Sequence, residues 1–376
     1  MLVAWLLLSA PALGVVEVPD PAASTVAVGI AAPRGDLSFD AAECLAELMV
    51  RGTQAYSGRE LRALARQAGT PLRVRVAGDF ITVALEAPAT SGAMALLSDL
   101  SFQLTQAASL AEGDVAQRIR ARRAQTEDPL RMALGLRSRA DWTPRAVQDA
   151  YRRVFNVRNL RVVVSGKFAN GEAISEFRQR FLQADTRLPS TAPLRPKAEP
   201  IPVTLPTLVA VGPRQRDLSP VRVVAAAGLS GKSGTLWRVI RQRERWSYDQ
   251  RVILWPRREG WEPTLIVLSS EERDREVFSH HVHDDLKLWS DANLRVAQRQ
   301  ATESLYGRTP FGVLWLDANG PMGPSLADRA SLMAISLAMG GQLNPVTLAK
   351  MVSDVPLGDV VGEAESWSRA PFPERD

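Results

Sequence analysis

Six prolines between residues 189 and 206, in PSTAPLRPKAEPIPVTLP, set the gross organisation of this chain. Proline locks φ and removes a backbone donor, so such a run reads as a stiff linker. It divides 376 residues into two stretches, 15–188 and 207–376, each of ordinary domain size. With 45% hydrophobic and 23% charged residues, the chain has the apolar material for a core and is not disordered.

The net charge is +5, and lysine occurs only at Lys167, Lys197, Lys232, Lys287 and Lys350. The arginines are scattered among acids without a basic block. They read as solvated faces and ion pairs, so no nucleic-acid partner is expected. Cys44 is the single cysteine and reads as a small core residue. Leu2 to Leu8 form an apolar run followed by Ser9, Ala10, Ala12 and Gly14. This predicts a signal peptide over residues 1–14, cleaved after Ala12 or Gly14, and export to a periplasm or the extracellular space. No later stretch is apolar enough to be a transmembrane anchor.

The hydrophobic periodicity predicts α+β architecture. VVEVPDPAASTVAVGIAAP reads as two strands around a turn. LSFDAAECLAELMVRGT reads as a helix capped by Asp40. SGRELRALARQAG reads as a helix with Ser57 and Glu60 in a capping box and Gly69 as its stop. LRVRVAGDFITVALEA is a strand pair bent at Gly78-Asp79. Helices are expected at about 91–108 and 112–125, and in TPRAVQDAYRRVF behind Thr143 and Pro144. NLRVVVSGKF is a strand and EAISEFRQRFL a helix. Beyond the linker, LVAVGP and VRVVAAAG read as strands and GTLWRVIRQR as a helix. VILWP and TLIVLSS form a strand pair, with helices from Arg275. The element order of the first half is weakly repeated in the second. Each half is expected to be a mainly antiparallel sheet with helices packed on it.

Three segments give the chain a resemblance to a known family. They are AECLAELMVRGT followed by SGREL, TPRAVQDAYRRVFNVRNLRVVVSGKF, and GLSGKSGTLWRVIRQRERWSY. The chain resembles the insulinase-like zinc peptidases, which include pitrilysin and the mitochondrial processing peptidase. That family carries an inverted zinc motif, H-x-x-E-H, on the helix before the Gly-Thr pair. Aligned on Gly52-Thr53, the two histidines fall at Glu43 and Glu47 and the glutamate at Ala46. The downstream glutamate ligand falls near Ala121. In the third segment Gly231, Ser233 and Gly234 match the family's glycine-rich loop. Arg241 and Tyr248 match its R-x6-Y pair, which implies a substrate contact.

Zinc hydrolysis needs three protein ligands, an open position for water, and a base. Carboxylates at Glu43 and Glu47 repel one another across one helical turn, and zinc prefers nitrogen or sulfur. Ala46 and Ala121 carry no proton acceptor or ligand. All four positions are replaced together, which implies lost hydrolysis and no cofactor. Paired with Arg51 or with the Arg120 to Arg123 cluster, Glu43 and Glu47 would be surface carboxylates.

Two other groups carry possible chemistry. His280, His283 and Asp284 share a helix face and offer a relocated metal site, against the plainer reading of a solvated surface helix. GLSGKSG ends like a phosphate loop, but the first glycine of that motif is replaced by Ala226. The resemblance implies a non-catalytic peptidase homologue that binds a peptide or unfolded segment, or pairs as a hetero- or homodimer with a related subunit. The alternatives are an active metallopeptidase with a moved metal site and a structural envelope-assembly protein.

Overall fold

The computed structural model describes residues 13–123, 143–182, 184, 207–247, 249–269, 274–317 and 320–369. The segment 1–12, the whole proline-rich linker 189–206 and Tyr248 lie outside them.

The first sheet is built from β1 (Gly14–Pro19), β2 (Thr25–Pro33), β3 (Arg73–Ala77), β4 (Phe80–Pro88) and β5 (Arg161–Gly166), in the order β1-β5-β2-β4-β3. All neighbours are antiparallel except β1 and β5. Alternation with period two sorts β2 onto two faces. Val26, Val28 and Ile30 join a cluster with Cys44, Leu45 and Leu48 of α1 (Phe39–Met49) and Leu97, Leu100 and Leu104 of α3 (Ala93–Gln106). The opposite positions are small: Ala27, Gly29 and Ala31. Helix α10 (Leu326–Ala338), from the second half of the chain, packs against that face. A Cβ at Gly29 would overlap the Ala330 and Ser331 backbone, so the small side chains admit the helix.

Helix α2 (Gly58–Gln67) has the expected capping box, and its neighbour Gly69 takes a positive φ. The N-cap of α1 is Ser38, whose hydroxyl accepts from the Ala41 amide, rather than Asp40. Helices α4 (Glu112–Arg123), α5 (Pro144–Val154, capped by Thr143) and α6 (Glu172–Phe181) complete the first half.

The second half carries the sheet β6 (Thr207–Val211), β8 (Gly260–Leu268), β7 (Asp249–Arg257), in that order and antiparallel throughout. VRVVAAAG is not a strand. It lies in helix α7 (Pro220–Leu229), where Ser219 caps and Pro220 opens the first turn. Every residue from Arg222 to Leu229 is buried, so the helix shows no polar face to reveal its period. The predicted helix in GTLWRVIRQR is π-helical from Trp237 to Arg243. Helices α8 (Arg275–Lys287), α9 (Asp291–Leu305), α11 (Pro345–Met351) and α12 (Leu357–Ser368), with the short pair β9 (Trp315–Asp317) and β10 (Gly320–Pro321), complete the described chain.

The two halves share their cores. Ile253, Trp255, Ile266 and Trp315 join the first-half cluster, while Ala31, Ala77, Phe80 and Val163 join that of the second half. Two polar clamps add to this packing. At the β3–β4 turn, Gly78 has φ +57 and a Cβ there would overlap the Pro256 carbonyl. The next residue, Asp79, donates its amide to Pro256 O at 3.0 Å, and its carboxylate accepts from Arg34 and from the Arg258 amide. The second clamp is Asp328, buried on α10, which binds Arg75 Nη1 at 3.1 Å and Arg73 Nη1 at 3.5 Å from β3.

Candidate functional site

Helix α1 is apolar on three sides, so only one stripe reaches solvent. Glu43, Glu47 and Val50 lie on that stripe and Ala46 is buried beside it. Helix α4 packs against α1 and carries Arg118 and Ala121 one turn apart. The guanidinium of Arg118 forms an ion pair with the Glu47 carboxylate. Arg118, one turn before Ala121, is thus a partner of Glu47; the side chains of Arg122 and Arg123 lie outside the described residues.

This donor set does not fit zinc. One carboxylate of the pair is held by a guanidinium, and a cation at the same place would be repelled by Arg118. Ala46 supplies no base and Ala121, exposed on α4, supplies no ligand. Among the described residues, no group of three or more His, Cys, Asp or Glu side chains is arranged to hold a metal.

The histidines of α8 do not converge. His280 faces Asp284 at 3.2 Å. His281 contacts Glu244 at 3.1 Å, and His283 contacts Glu365 of α12 at 2.8 Å. Arg369 also lies 3.0 Å from His283 Nδ1. Each imidazole serves a different neighbour.

The glycine-rich loop follows a helix, α7, not the strand that a phosphate loop requires. Its serine Ser233 is already bound at both side chain and carbonyl. Ser233 Oγ accepts from Gln300 of α9 at 2.9 Å, and its carbonyl accepts from Arg238. Arg238 pairs in turn with Asp285 of α8 at 2.6 Å. Gly231 takes φ +73, and a Cβ at Gly234 would overlap Ser230 O. Arg241 is half-buried on the π-helix. Its sequence partner Tyr248 lies outside the described residues, so the pair is not placed.

A cleft of about 490 Å³ opens between the end of α1, α2, α4 and the segment 70–72 that leads into β3. Four arginines line it: Arg51, Arg62, Arg66 and Arg118, against the single carboxylate of Glu47. The sequence reading missed this grouping. Its local signal is the i, i+4 spacing of Arg62 and Arg66, but the contributions of α1 and α4 are set only by tertiary packing.

Solved structures resemble this architecture along most of its length. A protease from Helicobacter pylori superposes with a TM-score of 0.73 at 14% identity, covering 94% of this chain and 93% of that one. A peptidase M16 inactive domain from Pseudomonas fluorescens gives 0.69 at 10% identity, covering 95% and 93%. The chain has the peptidase M16 fold. The periplasmic protease PqqL from Escherichia coli matches with a TM-score of 0.56 at 12% identity over 95% of this chain and 45% of its own. No family model and no curated protein matches the sequence. The M16 fold is that of the insulinase-like peptidases, so the expected α+β class holds. Among the described residues no helix is long and apolar enough to cross a membrane.

Proposed function

We propose that this chain is a non-catalytic M16 homologue that binds an extended peptide and acts beside an active zinc peptidase. The observation that carries the reading is the Glu47–Arg118 ion pair, which puts a guanidinium where a zinc site would need a ligand. The other three catalytic positions, Glu43, Ala46 and Ala121, are altered as well. The nearby fold relatives include one described as an inactive domain.

Peptide binding is supported by the edge position of β3. Edge strands present a row of unpaired backbone groups to which an extended segment adds. Strand β9 runs near β3 without forming a ladder with it. Pairing with a homologous active subunit, or with a second copy, and export to a periplasm complete the proposal. Cleavage after Ala12 would leave β1 whole, since that strand begins at Gly14.

The test is metal analysis of the purified chain together with a peptidase assay and a peptide-binding assay. The expected result is no stoichiometric zinc, no cleavage, and saturable binding of an unfolded or extended peptide. One tightly held zinc per chain with cleavage of the peptide would refute the reading. Co-purification with a histidine-bearing homologue from the native host is the expected result for the partner.

A further inference from the structure

The arginine cleft has a charge that peptide binding at a sheet edge does not require. Its four guanidiniums face one carboxylate, and that carboxylate is spent on Arg118. Arg51, Arg62 and Arg66 are exposed and make no ion pair or side-chain hydrogen bond among the described residues. Arg62 and Arg66 stand one turn apart on α2, a spacing at which like charges repel. An anion entering the cleft would relieve that repulsion. Guanidinium groups are also suited to it, because they bind carboxylates through two parallel donors.

The position of the cleft adds a direction. Residues 70–72 line it, and β3 starts at Arg73. A strand added antiparallel to β3 would run toward that start and so finish at the cleft. Antiparallel pairing is the commoner mode, and here both existing contacts of β3 and β4 are antiparallel. Val50, Ala65 and Leu72 also line the cleft, giving apolar contact for the stem of a longer acidic side chain.

We propose that this cleft receives the acidic C-terminal end of the peptide that pairs with β3, so that the protein selects segments ending in Asp or Glu. The inference rests on the peptide-binding reading above, and the test separates the two.

The experiment is fluorescence anisotropy on the full chain at low ionic strength. The labelled extended peptides share one apolar β-prone body and differ in their acids: at the C-terminal end, at the N-terminal end, or replaced by neutral residues. They are tested against the wild type and the R62E/R66E variant, whose altered side chains are exposed and whose fold is checked by thermal melting. The C-terminally acidic peptide is expected to bind about tenfold more tightly than the neutral one. That advantage disappears in the variant and shrinks with added salt, while the neutral peptide binds both proteins alike. Equal binding of all three peptides overturns the inference and leaves peptide binding intact. Equal gains from acids at either end, with inorganic phosphate competing as well as the peptide, mark a general anion site and also overturn it. Failure of every peptide to bind overturns this inference together with the reading beneath it.

Discussion

Asp328 is the most informative single residue to remove, because it tests whether the two halves hold each other. Its side chain is 2% exposed, and it faces Arg73 and Arg75, which are 31% and 27% exposed. Asp328→Ala leaves two guanidiniums on one face of β3 without their carboxylate. Breaking a buried ion pair costs about 3–5 kcal/mol. The partial exposure of the arginines puts this case near the lower end, about 3 kcal/mol. Unfolding entropy of about 2.1 cal/mol/K per residue gives roughly 0.8 kcal/mol/K for a chain of this length. If the chain melts as one unit, Tm should fall by about 4 °C; if the halves melt separately, the affected half should fall by about twice that. Scanning calorimetry reads both the shift and the number of transitions. A cycle with Arg75→Met measures the coupling directly, and the double variant should lose less than the sum of the singles. A Tm within a degree of wild type, or strict additivity, would refute the clamp.

Three further outcomes follow from the packing. Gly29→Ala would normally gain strand propensity, but its Cβ would overlap the backbone of α10; urea denaturation should show a loss of about 1–3 kcal/mol. Arg222 is fully buried and donates to Glu363 at 3.0 Å, Pro213 O at 2.8 Å and Trp261 O at 3.0 Å. Arg222→Met leaves the Pro213 carbonyl without this donor and the Glu363 carboxylate without its cation, and should cost about 3–5 kcal/mol by the same assay. The Tyr151 hydroxyl accepts from the Ala108 amide at 3.0 Å and donates to Leu104 O at 3.2 Å, so Tyr151→Phe should cost about 1–3 kcal/mol. Burial pushes the Tyr151 phenol far above its ordinary 10.0, against a smaller lowering by the Ala108 amide. The unfolded phenol therefore ionises first, and wild-type stability should fall as pH rises past 10. The Phe variant should lack that share of the alkaline slope.

How much of this was legible depended on how local each determinant is. The α2 capping box, the Thr143–Pro144 helix start and the Gly78-Asp79 bend involve residues within a few positions, and each was readable from sequence. Strand β2 was equally clear, since TVAVGIAAP alternates. Its small face even hints at the close approach of α10, although nothing local names the helix that fills it. The misreading of VRVVAAAG has a specific cause. Consecutive valines favour a strand, and the helix period vanishes when every side is buried. The Ser219-Pro220 cap was the overlooked signal. Arg222 was unreadable for a different reason, because its partners stand far away in the sequence. The residues aligned with the family's zinc positions could be read one by one in the sequence. The Glu47–Arg118 pair and the arginine cleft could not, because they exist only when α4 lies against α1.

The same distinction shows how, on the proposed reading, catalysis and binding would separate in this fold. Hydrolysis of the insulinase type requires four side chains at ligand or proton-transfer distance, and of the four aligned positions here only Ala46 is buried in the core. Glu43 and Glu47 sit on the one partly exposed stripe of α1, and Ala121 on the exposed face of α4. Their identities are therefore nearly free of the core. Strand addition requires instead an extended backbone held open at a sheet edge. The edge strand β3 is tied down by its ladder with β4, by Asp328 from α10, and at its far turn by Asp79. Those restraints are buried and cross-linked between the halves, so substitutions that remove them also threaten the fold. Selection for folding alone would preserve the edge while the metal site drifts. The guanidinium of Arg118, paired with Glu47, belongs to the same lining as Arg51, Arg62 and Arg66 and adds its positive charge to that cleft.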